Sequence, residues 1–338
     1  MKFLAFVFLG TAVTLLAQAP NANSGSASGL SVPTLGFVAG QAPARLQPIL
    51  GIPGSARFGS PLLLPSTVTQ IHIAPGHAYA LAEQGPGNPL GLILLQGITT
   101  QTRSLALTPI IDAIGQVDLL AFSPMGNSAV IYSRQTNQLQ VLTGLPNSPQ
   151  LYLNGLNLAT PDAPQKMAVS DDAQAVLVSD AAGSVYSVSR NAAPVAVHHS
   201  PDISALAFVP RSHDSVICDR SLNTMSSLRN SNVTPVILGP ATNDRCQPEA
   251  AASTADGKTI LLACPAQRAV LSIDLASGAT RVHNMANSPG ALEPLGVRDV
   301  FLMSPPESGT YWLFAWQPDG PVTSFVAAPR NASQGSGN

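Results

Sequence analysis

Charge is what this chain has least of. Asp, Glu, Lys and Arg make up 10% of its 338 residues, less than half of the ~25% usual in soluble domains. Lys and Arg number 16 against 18 acids, and nowhere do they gather into a basic run. Binding nucleic acid requires a concentrated positive field that displaces counterions from phosphates, so nucleic acid is excluded as a partner. Cysteine is scarce too: three residues, with no CxxC pair and no Cys–His spacing that would converge ligands on zinc. Of the six His only His198 and His199 adjoin, and neighbours in a strand point to opposite faces. There is no Walker loop and no dinucleotide fingerprint in a strand–helix context. A G-x-S-x-G elbow that would expose a nucleophilic serine is missing as well. These absences predict no metal and no cofactor, and they disfavour an enzyme. Helical periodicity is missing beyond the first segment, and the chain's 30 Pro and 27 Gly would break helices of ordinary length. Disorder is excluded, because 45% hydrophobic residues suffice for a large core.

What is present begins with MKFLAFVFLGTAVTLLAQAP. Lys2, an uncharged apolar stretch from Phe3 to Ala17, and small residues at Ala17 and Ala19 form the layout of a secretory signal peptide. The run is shorter than the ~20 residues a membrane-spanning helix needs. Cleavage after Ala17 is expected, since cleavage after Ala19 would put Pro20 first. The sequence thus divides into a signal peptide (1–19), a Ser/Gly/Asn spacer (20–32), one domain (33–329) and a polar tail (330–338). The expected location is secreted or periplasmic, with no membrane insertion once the signal is removed.

Within the domain one shape recurs: an apolar strand, a short polar turn, a second apolar strand. It is seen in IHIAPGHAYALAE (71–83), LLAFSPMGNSAVIYSR (119–134), MAVSDDAQAVLVSD (167–180), LAFVPRSHDSVICDR (206–220) and AAASTADGKTILLAC (250–264), with a weaker copy in PLGVRDVFLMSP (294–305). Aligning Pro75, Pro124, Asp171, Pro210 and Ala255 gives a repeat of about 45 residues, within the ~40–50 of propeller blades. Two further strand-like runs follow each hairpin, as SVYSVSR and PVAVHHS do after the third. Four alternating strands per unit predict an all-β propeller of four-stranded blades. TLGFVAG and RLQPILG precede the first full unit without an obvious opening pair. The expectation is seven blades, the first incomplete, with six as the alternative if these strands complete the last blade.

Ser123-Pro124-Met125-Gly126 and Ala255-Asp256-Gly257-Lys258 are variants of the Ser-Pro-Asp-Gly turn, so these hairpins resemble the YVTN and WD40-like propeller superfamily. The likeness covers most of residues 70–280 and implies fold, not activity. RLQPILGIPGSARFGSPL (45–62) is similar to an N-terminal stretch of exported bacterial propeller proteins.

Candidate site residues follow from the loops. The turn at Asp171-Asp172 reads as a backbone-bonding turn and not as a calcium loop. Connections entering the blades are long (154–165, 239–250 and 283–294), as is 83–91 on the same rim, whereas turns within the hairpins are short. Function collects on elaborated loops held by a rigid frame. A binding face is therefore expected around Asp162, Asp180, Asp219, Arg220, Asp244, Arg245 and Arg268, contacting a protein or carbohydrate partner. Cys246 lies just before the first strand of the fifth hairpin and Cys264 ends the second, so antiparallel pairing brings both to one rim. A Cys246–Cys264 disulfide is expected in an exported protein, with Cys218 free and buried. The expected function is a non-enzymatic binding or scaffold propeller. A lactonase-like hydrolase is the alternative by analogy of fold, and a quinone-dependent dehydrogenase would need more than Trp312 and Trp316.

Overall fold

The computed structural model describes residues 32–40, 44–85, 91–100, 105–157, 163–190, 192–229, 232–237, 246–304, 310–317 and 319–327. The expected signal peptide, most of the spacer and the tail lie outside these residues. From Pro33 onward the described chain is one compact unit, and every regular element in it is a strand.

The strands form seven four-stranded antiparallel sheets, spanning 34–63, 68–109, 119–157, 166–199, 203–237, 250–284 and 293–327. They are numbered here as blades 1 to 7. In blades 2 to 7 the strands lie side by side in chain order. First strands of neighbouring blades touch, as Lys166–Val169 does with both Leu119–Phe122 and Ile203–Phe208, which places the first strands around an axis. This is a seven-bladed β-propeller.

Blade 1 departs from the rest. Thr34–Gly40 and Arg45–Ile52 are its inner pair, while Ser55–Phe58 and Leu62–Leu63 both pair with Arg45–Ile52. TLGFVAG and RLQPILG therefore open the first sheet, and its incompleteness lies on the outer side. The six-blade alternative is excluded, because the last strand, Val322–Ala327, belongs to blade 7 and none of the described strands is shared between the two ends.

The period of two along each strand builds the core. In the second strand of blade 3, Ala129 and Ile131 pack toward blade 2 while Val130 and Tyr132 pack toward blade 4. Every blade boundary is filled in this way by its own apolar cluster. The one closing the ring joins Leu35, Val38 and Ile49 of blade 1 to Leu295, Leu302, Leu313 and Val326 of blade 7. Each fully buried aliphatic side chain there contributes about 1.5–3 kcal/mol, and the Val297 amide adds a backbone hydrogen bond to the Leu35 carbonyl at 3.2 Å, so the ring closes without a strand shared between its ends.

The hairpin turns explain the recurring motif. Ser123 Oγ accepts the amides of Asn127 and Ser128, each at 3.1 Å. Ser170 Oγ accepts the Ala175 amide and donates to Asp172 Oδ1, which also takes the Gln174 amide. Thr254, Thr259, Asp256 and Lys258 repeat the arrangement in blade 6. A hydroxyl at the first position and a carboxylate two residues on thus satisfy the turn's amides. The fourth position is left-handed, with Gly126 at φ 72° and Gly257 at φ 70°, which is why glycine is favoured there.

The turns also link to one another. The Tyr79 hydroxyl donates to the Gly126 carbonyl. Asp171 accepts the Met125 amide of blade 3 and the Arg211 amide of blade 5, both at 2.7 Å. Asp299 accepts the Ala255 amide at 2.7 Å. His77 completes the collar: its Nδ1 accepts the Phe37 amide at 2.7 Å, and its Nε2 lies 2.9 Å from the Pro294 carbonyl. Those two partners define a neutral imidazole protonated on Nε2.

Candidate functional site

Each strand runs from one rim of the propeller to the other. The hairpin turns share one rim; the second-strand exits and the blade-entering loops share the opposite one. Of the residues expected to bind a partner at that opposite rim, Asp162, Asp244 and Arg245 lie outside the described residues, as do parts of three of the four long loops.

Asp180, Asp219 and Arg220 are engaged in holding the rim together. Asp180 is buried, accepting the Ser184 amide at 2.8 Å and the Tyr186 hydroxyl at 3.2 Å. Asp219, 1% exposed, accepts the hydroxyls of Ser200 and Ser221 and the amides of Asp202 and Leu222. Burial opposes its ionisation, but these four donors, Leu222 foremost, outweigh that and lower its pKa. Arg220 grips Asp202 through two bonds at 2.9 and 3.0 Å and reaches Glu249 at 2.6 Å. It ties blade 5 to the segment leading into blade 6, and the carboxylates hold its guanidinium charged. Arg268 is exposed in the turn before the third strand of blade 6. Among the described residues, no hydrogen bond or ion pair joins Asp180 or Arg268 to the Asp219–Arg220 group.

Cys246 and Cys264 are joined by a disulfide with Cα atoms 4.6 Å apart, inside the core between blades 5 and 6. Cys218 is free, and burial together with the neighbouring Asp219 carboxylate pushes its thiol up to about 12.

An axial concavity lies among the described residues, and the loop pattern did not reveal it. A cavity of about 990 Å³ is lined by the final halves of the inner strands and by the hairpin turns that follow them. Its wall is mainly apolar, with Ile71, Ile73, Leu120, Phe122, Leu206 and Phe208 contributing the larger side chains. Met125 and Val297, each 37% exposed, form an apolar lip on the hairpin-turn rim. Met125 stands where the blade 6 turn carries Asp256. A legible signal did exist: the inner strands LLAF, ISALAF and AAAS carry no charge and do not alternate with polar residues as a solvated face would.

Two acid–base features lie in or against this wall. His72 lines the cavity, and its Nε2 is 2.8 Å from Oε1 of buried Glu83. Glu293 opens the short first strand of blade 7 and is the only acid in the seven inner strands. Water can reach its carboxylate, yet protein surrounds it on most sides, and this desolvation raises its pKa. Among the described residues no three His, Cys, Asp or Glu side chains converge as a metal site.

No protein-family profile matches the chain, and no curated protein sequence does. Solved structures do. Virginiamycin B lyase from Staphylococcus aureus aligns with a TM-score of 0.51 at 10% identity, covering 77% of this chain and 84% of that one. A putative 6-phosphogluconolactonase from Bacteroides uniformis aligns with a TM-score of 0.57 at 12% identity, covering 87% and 97%. The likeness is one of fold. At such identities it carries the propeller architecture and no activity.

Proposed function

We propose that this protein is a non-enzymatic binding propeller that works outside the cytoplasm and takes its ligand in the axial cavity. The observation that carries the reading is the cavity itself: about 990 Å³, with a wall more apolar than polar. That size is at the upper end of the ~300–1,000 Å³ typical of ligand sites, and the composition is typical as well. The charges of the opposite rim support the choice, since Asp219 and Arg220 are already saturated by protein partners. A neutral apolar dye, N-phenylnaphthylamine, should bind saturably at one site per chain. Ala207→Trp, which places bulk in the lining, should abolish binding while leaving the circular dichroism spectrum intact. Absence of saturable binding by the wild type would overturn the reading. The location rests on the Lys2–Ala19 layout; exported protein should begin near Gln18, and an intact mass retaining Met1 would refute it.

A hydrolytic reading, lactonase-like, is favoured by one feature. His72 stands in the cavity wall with one ring nitrogen held by Glu83, the arrangement by which a carboxylate orients a general base. Assays of lactone hydrolysis with and without calcium, on wild type and His72→Gln, separate the two. Turnover lost in the variant would select the hydrolase.

A further inference from the structure

We infer that the axial cavity takes a ligand with an apolar body and a single cationic nitrogen, seated on the Glu293 carboxylate. This rests on the cavity being the binding site and adds the chemistry of what enters it. Glu293 lines the cavity and has no hydrogen bond or ion pair among the described residues. Its pairing with Leu302 puts both side chains on one face of blade 7, and Leu302 packs in the cluster shared with blade 1. The carboxylate therefore projects at the seam of blades 7 and 1, beside the axis.

The other titratable groups of the wall are committed or solvated. His72 is held by Glu83. His77 is saturated by two backbone groups. Asp299 accepts the Ala255 amide and lies 3.4 Å from Arg298. Arg211 and Arg298 are exposed at the mouth, where water and salt screen their fields. Glu293, itself exposed to the water of the cavity, is thus the one acid of the wall without a partner among the described residues. A ligand carboxylate or phosphate would meet like charge. A neutral ligand would strip water from an ionised acid and offer nothing in return. A cationic nitrogen on an apolar body satisfies both the wall and the acid.

Calorimetric titration with phenylbutylamine, phenylbutanol and phenylbutyrate tests this, because the three share one apolar body and differ in charge. The amine should bind about tenfold more tightly than the alcohol, as one well-placed ion pair predicts, and the carboxylate should bind most weakly. Glu293→Gln should erase the amine's advantage and leave the alcohol unchanged. Should the variant fail to fold, the order amine, alcohol, carboxylate in the wild type decides alone. Equal binding of amine and alcohol, or an advantage that survives in Glu293→Gln, overturns the inference and leaves the cavity reading standing. Failure of all three ligands overturns the inference as well, and if the neutral dye also fails the cavity reading falls with it.

Discussion

Three blades meet at His77. It sits in the turn of blade 2, accepts an amide from blade 1 and bonds a carbonyl of blade 7, with a left-handed φ of 54°. The approach is so close that a Cβ on Gly36 would lie 2.8 Å from its Nδ1. His77→Ala should cost roughly 3 kcal/mol, because two backbone groups lose their partners and each is worth ~1–3 kcal/mol when buried unpaired. Urea denaturation checks this. Burial lowers the His77 pKa from 6.5 to about 4, against a smaller opposing effect of the Pro294 carbonyl. In the unfolded chain the ring binds a proton near pH 6.5, in the folded chain only near pH 4, so the unfolded state holds more protons in between. Its contribution is complete above pH 6.5 and is lost as pH falls toward 4, on the order of 3 kcal/mol across the window. His198 and His283, also lowered by burial first, act with the same sign. His77→Gln should flatten the larger part of the stability loss between neutral pH and pH 4, and an unchanged slope would refute the assignment.

At the scale of the element, the hairpin turn is the unit of construction, and Asp171 shows what one turn does for its neighbours. Its two carboxylate oxygens each take an amide from an adjoining turn. Asp171→Ala should destabilise by about 1–2 kcal/mol, as the loss of two charge-assisted but exposed bonds implies. Asp172→Ala should also destabilise, through its own turn. Equal stability of Asp171→Ala and wild type in urea would show that the turns stand independently. Blade 6 has a second device, the disulfide across a separation of 18 residues. A loop of that length confers about 3 kcal/mol in the chain-entropy account. Cys246→Ala with Cys264→Ala should lose that amount, and a reductant should lower the melting point of the wild type only. Peptide mapping that linked Cys218 to either partner would contradict the arrangement, since Cys218 is buried with its thiol pushed up.

For the whole molecule, closure without a shared strand is the feature with consequences. An open stack of repeats frays from its ends, whereas here blade 7 packs on blade 1 through Leu35, Ile49, Leu302 and Val326. Trp312 and Trp316 both report on blade 7. Thermal unfolding followed by tryptophan fluorescence should therefore coincide with that followed by far-UV circular dichroism. Ile49→Ala, at a fully buried site of the closing cluster, should cost about 2–5 kcal/mol and lower both transitions together. A tryptophan transition well below the β-sheet transition would mean that the ring opens at this seam first.

What the sequence determined by itself was everything governed by local period and spacing. Alternation in Ser128–Ser133 decided which side chains face which neighbour, and a unit of about 45 residues with four strands implied the ring. Ser, Thr, Asp and Gly at fixed offsets specified turns whose bonds are those short-range chemistry would form. Blades 2 to 7 were legible because each carries the recurring hairpin, and blade 1 was not, because its inner pair lacks that turn and its two- and four-residue outer strands leave no period to read; six blades therefore stood as the alternative. The site is another matter. Asp180, Asp219 and Arg220 stand out as charges in a chain poor in them, but whether such a charge is free or saturated depends on residues across the turn and in the next blade. Glu293 and His72 are 221 positions apart and line one cavity only because the ring closes between blades 7 and 1. Closure brings inner strands from all seven units to one axis, and a cavity shared by segments so distant has no local pattern from which it could be read.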